Sequence, residues 1–375
     1  MSRIRSTIAC SAVVLAGMLA AGASVPALAD DFSLDALIAA AKAEPPLAIY
    51  DSTGKIVDMA KNFAAKYGLQ ATGTKIKAGD QLEMVVREAQ AKNVQADVFI
   101  MSDPAAVMAQ LVPEKYVISW VPPDMVDKIP TVYQNPLVVV TTANVWAYNT
   151  EKNATCPVTN IWQLTEPEWK GKVAMQDPLG KAQFDDMFNQ MQSHGDAAMA
   201  SAYKDLYGKD LDTSSESATA QWVKALAANA PLLTDADEAA AEAVGAPGQK
   251  EPFIGLVSSA KFRDNADEGF KLGICDTLKP WVGSLYAGVG VITSGSDSPN
   301  AAKLFIHYVM TAEGIAPQAA DGKISTNPDN KLPADEPSGL SKVLDKLQPY
   351  DISSALDDWD ARQDWQDLWR LNYTK

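Results

Sequence analysis

Two long β-forming runs, Leu137 to Tyr148 and the Gly-rich Trp281 to Thr293, bracket the middle third of this 375-residue chain and constrain its fold more than any other feature. Each is too long for one compact strand in a single sheet and suits a segment that passes from one domain to another. The chain is therefore expected to cross between two α/β domains at least twice. Around these runs helical and strand periods alternate. Ser33 to Lys42 reads as a short helix, stopped by Pro45-Pro46 before the strand Leu47 to Tyr50. Asp51-Ser52-Thr53-Gly54-Lys55 then opens a helix with Ile56, Met59, Ala60, Phe63 and Tyr67 on one face. The unit repeats through a helix carrying Leu82, Val85, Val86 and Ala89 and the strand Asp97 to Met101. Ser102-Asp103-Pro104 caps the next helix, with Pro at its first position. Further on, Lys172 to Met175 and Phe253 to Val257 read as strands. Thr234-Asp235-Ala236-Asp237-Glu238 caps a helix over Ala239 to Val244. His194 falls in what reads as a polar Ser-His-Gly-Asp turn.

The first 29 residues stand apart. Arg3 and Arg5 precede an apolar run from Ala9 to Ala23, and Ala27-Leu28-Ala29 before Asp30 is an A-x-A cleavage signature, so residues 1–29 read as a secretory signal peptide. Cys10 would leave with it. Export makes Cys156 and Cys275 candidates for one disulfide closing a loop of about 120 residues, two buried free thiols being the alternative.

Charge narrows the function. The full chain carries a net charge of −15, and after cleavage 30 basic residues face 47 acidic ones. Such a surface repels phosphate backbones and anionic lipid heads, which argues against nucleic-acid or broad membrane binding and for a small partner. Two His residues leave little room for a His-rich metal site or a Ser/His/Asp centre, and no cofactor is expected. The chain has no G-x-S-x-G, H-E-x-x-H, C-x-x-C or Walker A pattern. A carboxylate-pair hydrolase stays open.

Three stretches carry a resemblance: Ala-Asp-Val-Phe-Ile-Met-Ser-Asp-Pro (96 to 104), Trp-Lys-Gly-Lys-Val-Ala-Met-Gln-Asp-Pro (169 to 178), and Tyr286-Ala287-Gly288-Val289-Gly290-Val291 followed by Ser298 to Phe305. From about residue 46 onward the chain resembles the extracellular solute-binding proteins of ABC importers, within the cluster of ferric-ion and hexose-phosphate binding proteins. The resemblance implies an α/β periplasmic binding protein of type 2, with two lobes, a hinge and an interlobe ligand cleft. Its lobes would be 30–138 with 285–325, and 139–284, with 326–375 as a C-terminal helical segment packing back on them. It further implies a periplasmic monomer that delivers its solute to an inner-membrane permease.

In ferric-ion members of that family, adjacent tyrosines on the segment matching Gly255 to Phe262 hold the iron. Here that segment offers Ser258 and Ser259, and no two tyrosines are adjacent in the chain. Small hydroxyls beside Lys261 and Arg263 suit an anion or a polar organic group better than Fe(III). The latter two side chains read equally well as part of a solvated cluster with Asp264 and Asp267. The loop Ser52-Thr53-Gly54-Lys55 is the foremost anion candidate, since hydroxyls and free N–H groups meet there at a helix start. Ser102 and Asp103, Asp177 and Lys181, and Thr234, Asp235 and Asp237 are expected to face it. The expected ligand is a small polar, phosphorylated or otherwise anionic solute, with ferric iron or an iron complex as the alternative. Trp359, Arg362, Trp365 and Trp369 recur at helical spacing and read as a helix packed onto a lobe.

Overall fold

The computed structural model describes residues 32–374; the expected signal segment, its cleavage site and Cys10 lie outside them. The strands are β1 (Leu47–Asp51), β2 (Ala71–Lys75), β3 (Val98–Met101), β4 (Val117–Ile118), β5 (Val138–Asn149), β6 (Val173–Gln176), β7 (Leu232–Thr234), β8 (Ile254–Ser258), β9 (Leu272–Ile274), β10 (Gly283–Thr293), β11 (Ile324–Ser325) and β12 (Leu347–Gln348). The helices are α1 (Leu34–Ala41), α2 (Ile56–Tyr67), α3 (Ala78–Ala91), α4 (Pro104–Ala106), α5 (Ala182–Tyr207), α6 (Ala218–Ala228), α7 (Asp237–Gly245), α8 (Asp264–Asp267), α9 (Pro299–Val309), α10 (Ala312–Ala319) and α11 (Ala355–Asn372). A π-helical turn, Val107–Leu111, continues α4.

All twelve strands belong to one hydrogen-bonded sheet, whose main path runs β2-β1-β3-β10-β5-β8-β6-β7. This corrects the expectation that the long runs exceed a single sheet. Each is one strand, and the sheet continues through both because successive parts of each run have different neighbours. Along one edge of β5, β10 pairs with Val138 to Val145 and β9 with Ala147 to Asn149; along the other, β11 pairs with Val140 and Thr141 and β8 with Asn144 to Tyr148. Every residue of β5 is buried, which is why it reads as a continuous apolar run rather than an alternating one.

Parallel pairing occupies the flanks, with β1 beside β2 and β3 on one side and β6 beside β7 and β8 on the other. The central pairs β3–β10, β10–β5 and β5–β8 are all antiparallel. The two flanks therefore run in opposite directions and aim their carboxyl ends toward the same central zone. The register fixes that zone: Met101, the end of β3, lies opposite Val289, whereas Ser258, the end of β8, lies opposite Asn144, itself paired with Ser284. Five residues along β10 separate these two levels, about 16 Å at the rise of a strand. Thr142 and Tyr286 pair in the middle of the gap.

Apolar packing holds each flank separately. Phe63, Phe305 and Tyr308 from α2 and α9 pack against Ile49 and Val98, while Phe188, Trp222 and Trp369 from α5, α6 and α11 pack against Trp146 and Leu256. The amphipathic face of α2 is the one its spacing predicts, and the helix ends at Gly68, whose φ of 67° suits glycine. The disulfide between Cys156 and Cys275 is formed, joining the segment after β5 to the residue after β9.

Two local expectations fail. His194 lies inside the 26-residue α5 and not in a turn. Its neighbour Gly195 is there because a Cβ would fall 2.3 Å from the ring of Trp281, a packing reason that mimics a turn signal in sequence. The acidic run before α7 does not cap it: the N-cap is Ala236, without a side-chain bond, and the Asp237 carboxylate instead accepts from the backbone N–H of Ser258 at 3.2 Å.

Candidate functional site

The loops that leave β1 and β3 on one flank and β6, β7 and β8 on the other surround the central zone over Thr142 and Tyr286. At the end of β1, Asp51 is buried and saturated. It accepts from the Thr53 N–H at 3.2 Å and from the Gln318 amide Nε2 at 2.7 Å. Burial raises its pKa, against the pull of Lys323 and of those hydrogen bonds. This buried carboxylate folds the Ser52–Lys55 loop. Ser52 Oγ reaches Ser102 Oγ at 3.4 Å, so two of the expected loops do meet. Thr53 Oγ1 accepts from the Lys55 N–H at 3.4 Å, Lys55 pairs with Asp321 at 3.5 Å, and a Cβ on Gly54 would meet open space.

Asp103 is committed elsewhere. It caps α4 through the Ala106 N–H at 2.9 Å and accepts from Arg362 at 2.6 Å. On the opposite flank, Asp177 caps a short turn through the Leu179 N–H, and Thr234 donates to the Ala236 carbonyl. Asp235 is exposed. Ser258 Oγ accepts from the Ala260 N–H, and Ser259 Oγ donates to the Gly322 carbonyl at 3.4 Å. Lys261 and Arg263 are not a solvated cluster. Lys261 is buried and paired with Glu238, and Arg263 pairs with Asp321 at 2.8 Å as well as with Asp264.

Lys181 has no ion-pair partner among the described residues. Its Nζ donates to Gln176 Oε1 at 3.2 Å, and burial lowers its pKa, against the field of Asp237 and Glu238. Lys323 and Lys261 push the same way as burial. Lys323 follows the loop that receives Ser259, directly before β11, whose first residue Ile324 pairs with Thr141 on the β5 edge that also carries Ser258. Lys181 and Lys323 thus repel each other from opposite flanks. Asp237, between Lys261 and Lys181, is itself raised by burial.

Beside this charged end lies a largely neutral recess lined by Ser102, Asn144, Gln183, Ser284, Tyr286 and Tyr350, with Asp186 as its charged member. The Gln183 side chain sits beside the Tyr286 phenol there. Burial, then the field of Asp237, pushes the Tyr286 phenol up to about 12, and Tyr350 is shifted in the same direction by burial and Asp358. Both phenols are held as neutral hydrogen-bonding groups. Among the described residues, no three His, Cys, Asp or Glu side chains gather into a metal-holding group.

The sequence matches the bacterial extracellular solute-binding protein family over residues 48–322. The chain belongs to that family. Solved structures share its fold: iron-bound HitA from Pseudomonas aeruginosa is 16% identical, covering 86% of this chain and 99% of its own, with a TM-score of 0.65. The ferric binding protein from Campylobacter jejuni is 15% identical over 86% and 99%, with a TM-score of 0.63. The periplasmic binding protein AfuA from Actinobacillus pleuropneumoniae, with fructose-6-phosphate bound, is 24% identical over 87% and 99%, with a TM-score of 0.61. No curated protein matches the sequence.

For this solute-binding protein, the sequence singled out several of the loops that the fold gathers around this zone but not Asp51, Gln183, Tyr286, Gln318, Lys323 or Tyr350 beside them. Asp51 carried a signal, an acid at the end of an apolar strand before Ser-Thr-Gly. Tyr286 stood inside the quoted β motif but was read as scaffold. Nothing local marks Gln318, Lys323 or Tyr350, because tertiary packing alone brings them to the site.

Proposed function

We propose that this protein is the solute-binding component of an ABC importer in the periplasm, and that it takes a small polar organic solute with an anionic group between its two flanks. The observation that carries this reading is the pair Lys181 and Lys323. Two half-buried ammonium groups from opposite sides of the gap repel each other and lack ion-pair partners among the described residues. A bound anion relieves both the desolvation and the repulsion, and charge-assisted hydrogen bonds are about twice as strong as neutral ones. The neutral recess beside them offers hydroxyl, amide and phenol groups to a hydroxylated body. In this reading the flanks act as lobes, β5 and β10 as the connection on which they move, and the solute stabilises the closed arrangement by its differential affinity. The protein works as a monomer that binds its solute without altering it and passes it to the permease. A phenolate-based ferric site is less well served, because both recess phenols are shifted toward the protonated form.

Native mass spectrometry of protein purified from its own periplasm, followed by a thermal-shift panel of sugar phosphates, phosphonates, polyamines and ferric complexes, tests the proposal. A ligand at a hundred times its Kd stabilises by about 2.7 kcal/mol. Stabilisation by an anionic organic compound, recovered chemically unchanged, supports the reading. Stabilisation only by ferric species or polyamines overturns the anion assignment, and turnover of the ligand overturns the binding-protein assignment.

A further inference from the structure

The C-terminal helix is rooted in both sides of the molecule. Its first residue, Ala355, is buried with Phe99, Met101 and Val289 beneath the β3 flank, while Trp365 and Trp369 are buried with Phe188 and Trp222 on the β8 flank. Between these anchors stands Arg362, its side chain only 11% exposed. Its guanidinium donates from Nε and Nη2 to the two oxygens of Asp186, each at 2.7 Å, and from Nη2 to Asp103 Oδ1 at 2.6 Å. Asp186 is in the second turn of α5, on the β8 flank. Asp103 is at the carboxyl end of β3, on the other. One side chain therefore ties the two flanks together beside the recess that Asp186 helps to line.

The two legs of this junction are unequal. Asp186 takes a two-point fork from the guanidinium and is 5% exposed, so losing it would strand a buried charge. Asp103 is 17% exposed, its second contact with Arg362 is long at 3.4 Å, and it keeps a second role in capping Ala106. Water reaches Asp103 more easily, so that leg is the one that breaks at lower cost. The Trp359 ring, 4.9 Å from the guanidinium carbon, holds the arginine in place on its own helix.

We propose that Arg362 is a catch for the closed arrangement: it stays on Asp186 and releases Asp103 when the flanks part. Arg362 is a positioning residue, touching no ligand but setting how long the closed state lasts. The inference rests on the proposed movement of two lobes, not on the identity of the solute.

The test uses spin labels on the full mature chain at Lys61→Cys and Lys209→Cys, two exposed positions on α2 and after α5, with distances measured by pulsed electron resonance and no added ligand. Asp103→Asn removes the charge but retains an acceptor for the Ala106 cap, so it should fold normally, as circular dichroism will check. The catch predicts that the long-distance population rises about fivefold in Asp103→Asn. It also predicts that Arg362→Gln combined with Asp103→Asn shifts that population no further than Arg362→Gln alone. An unchanged distance distribution in folded Asp103→Asn, whether the wild type shows one distance or two, overturns the catch. Solute binding is read separately by native mass spectrometry, so a protein that holds a solute but ignores the substitution loses the catch and keeps the transport reading.

Discussion

At the residue scale the site is a balance of buried charges. Lys181 has given up water without gaining an ion-pair partner among the described residues, which costs stability and, in the proposed reading, is relieved by an anion. Lys181→Met should therefore weaken binding of the anionic ligand at least about tenfold, while leaving the unliganded melting temperature equal or higher. Titration calorimetry and a melting curve together check this, and a variant with unchanged affinity would remove Lys181 from the site. Asp185 is a second case. It is fully buried, its Oδ2 accepts from Gln366 at 3.0 Å, and its Oδ1 has no partner among the described residues. Burial pushes its carboxyl up to about 7, whereas in the unfolded chain it titrates near the ordinary carboxylate value of 3.8. Between those values the folded state holds the proton and the unfolded state has lost it, so stability falls as pH rises from about 4 through 7. Asp185→Asn should flatten that fall and melt higher than the wild type at pH 8. Parallel melting-temperature curves from pH 5 to 8 would show that Asp185 does not contribute to it.

At the element scale, the Ser52–Lys55 loop after β1 depends on how α2 is seated. Gly73 in β2 lies beneath its start, where a Cβ would come within 2.2 Å of the Ile56 carbonyl oxygen. That atom is backbone and cannot swing aside. Gly73→Ala is expected to cost about 1–3 kcal/mol by displacing α2, read as a fall in the denaturation midpoint with an unchanged slope. Sequence periodicity located α2 and six of the strands to within a residue or two, since one buried face leaves a regular apolar pattern. It failed where packing imitates local punctuation, as at Gly195, and where a side chain bonds at long range instead of capping its own helix, as Asp237 does with Ser258.

At the scale of the whole molecule, the bond between Cys156 and Cys275 spans 119 residues of chain and lies away from the central gap. Its reduction should lower stability by about 4 kcal/mol in the chain-entropy account while leaving ligand affinity largely intact. Melting curves with and without reductant, and a calorimetric titration of the reduced protein, check both halves of that statement. Long-range charge gives no help in capturing an anion, because the chain as a whole is strongly acidic. In the proposed reading, binding comes from the few groups gathered over Thr142 and Tyr286. The sequence by itself determined the alternating α/β elements, the two long central runs, the cysteine pair and the loops that begin with Ser52, Ser102, Asp177 and Ser258. These are written in local period and in turn chemistry, which neighbouring residues set. Tertiary structure alone decided that one sheet runs through both long strands and that Lys323 faces Lys181. It also decided that Arg362 of an apparently structural helix joins Asp103 to Asp186. Such juxtapositions depend on strand register and helix docking between residues hundreds of positions apart, for which a single sequence carries no periodic signal.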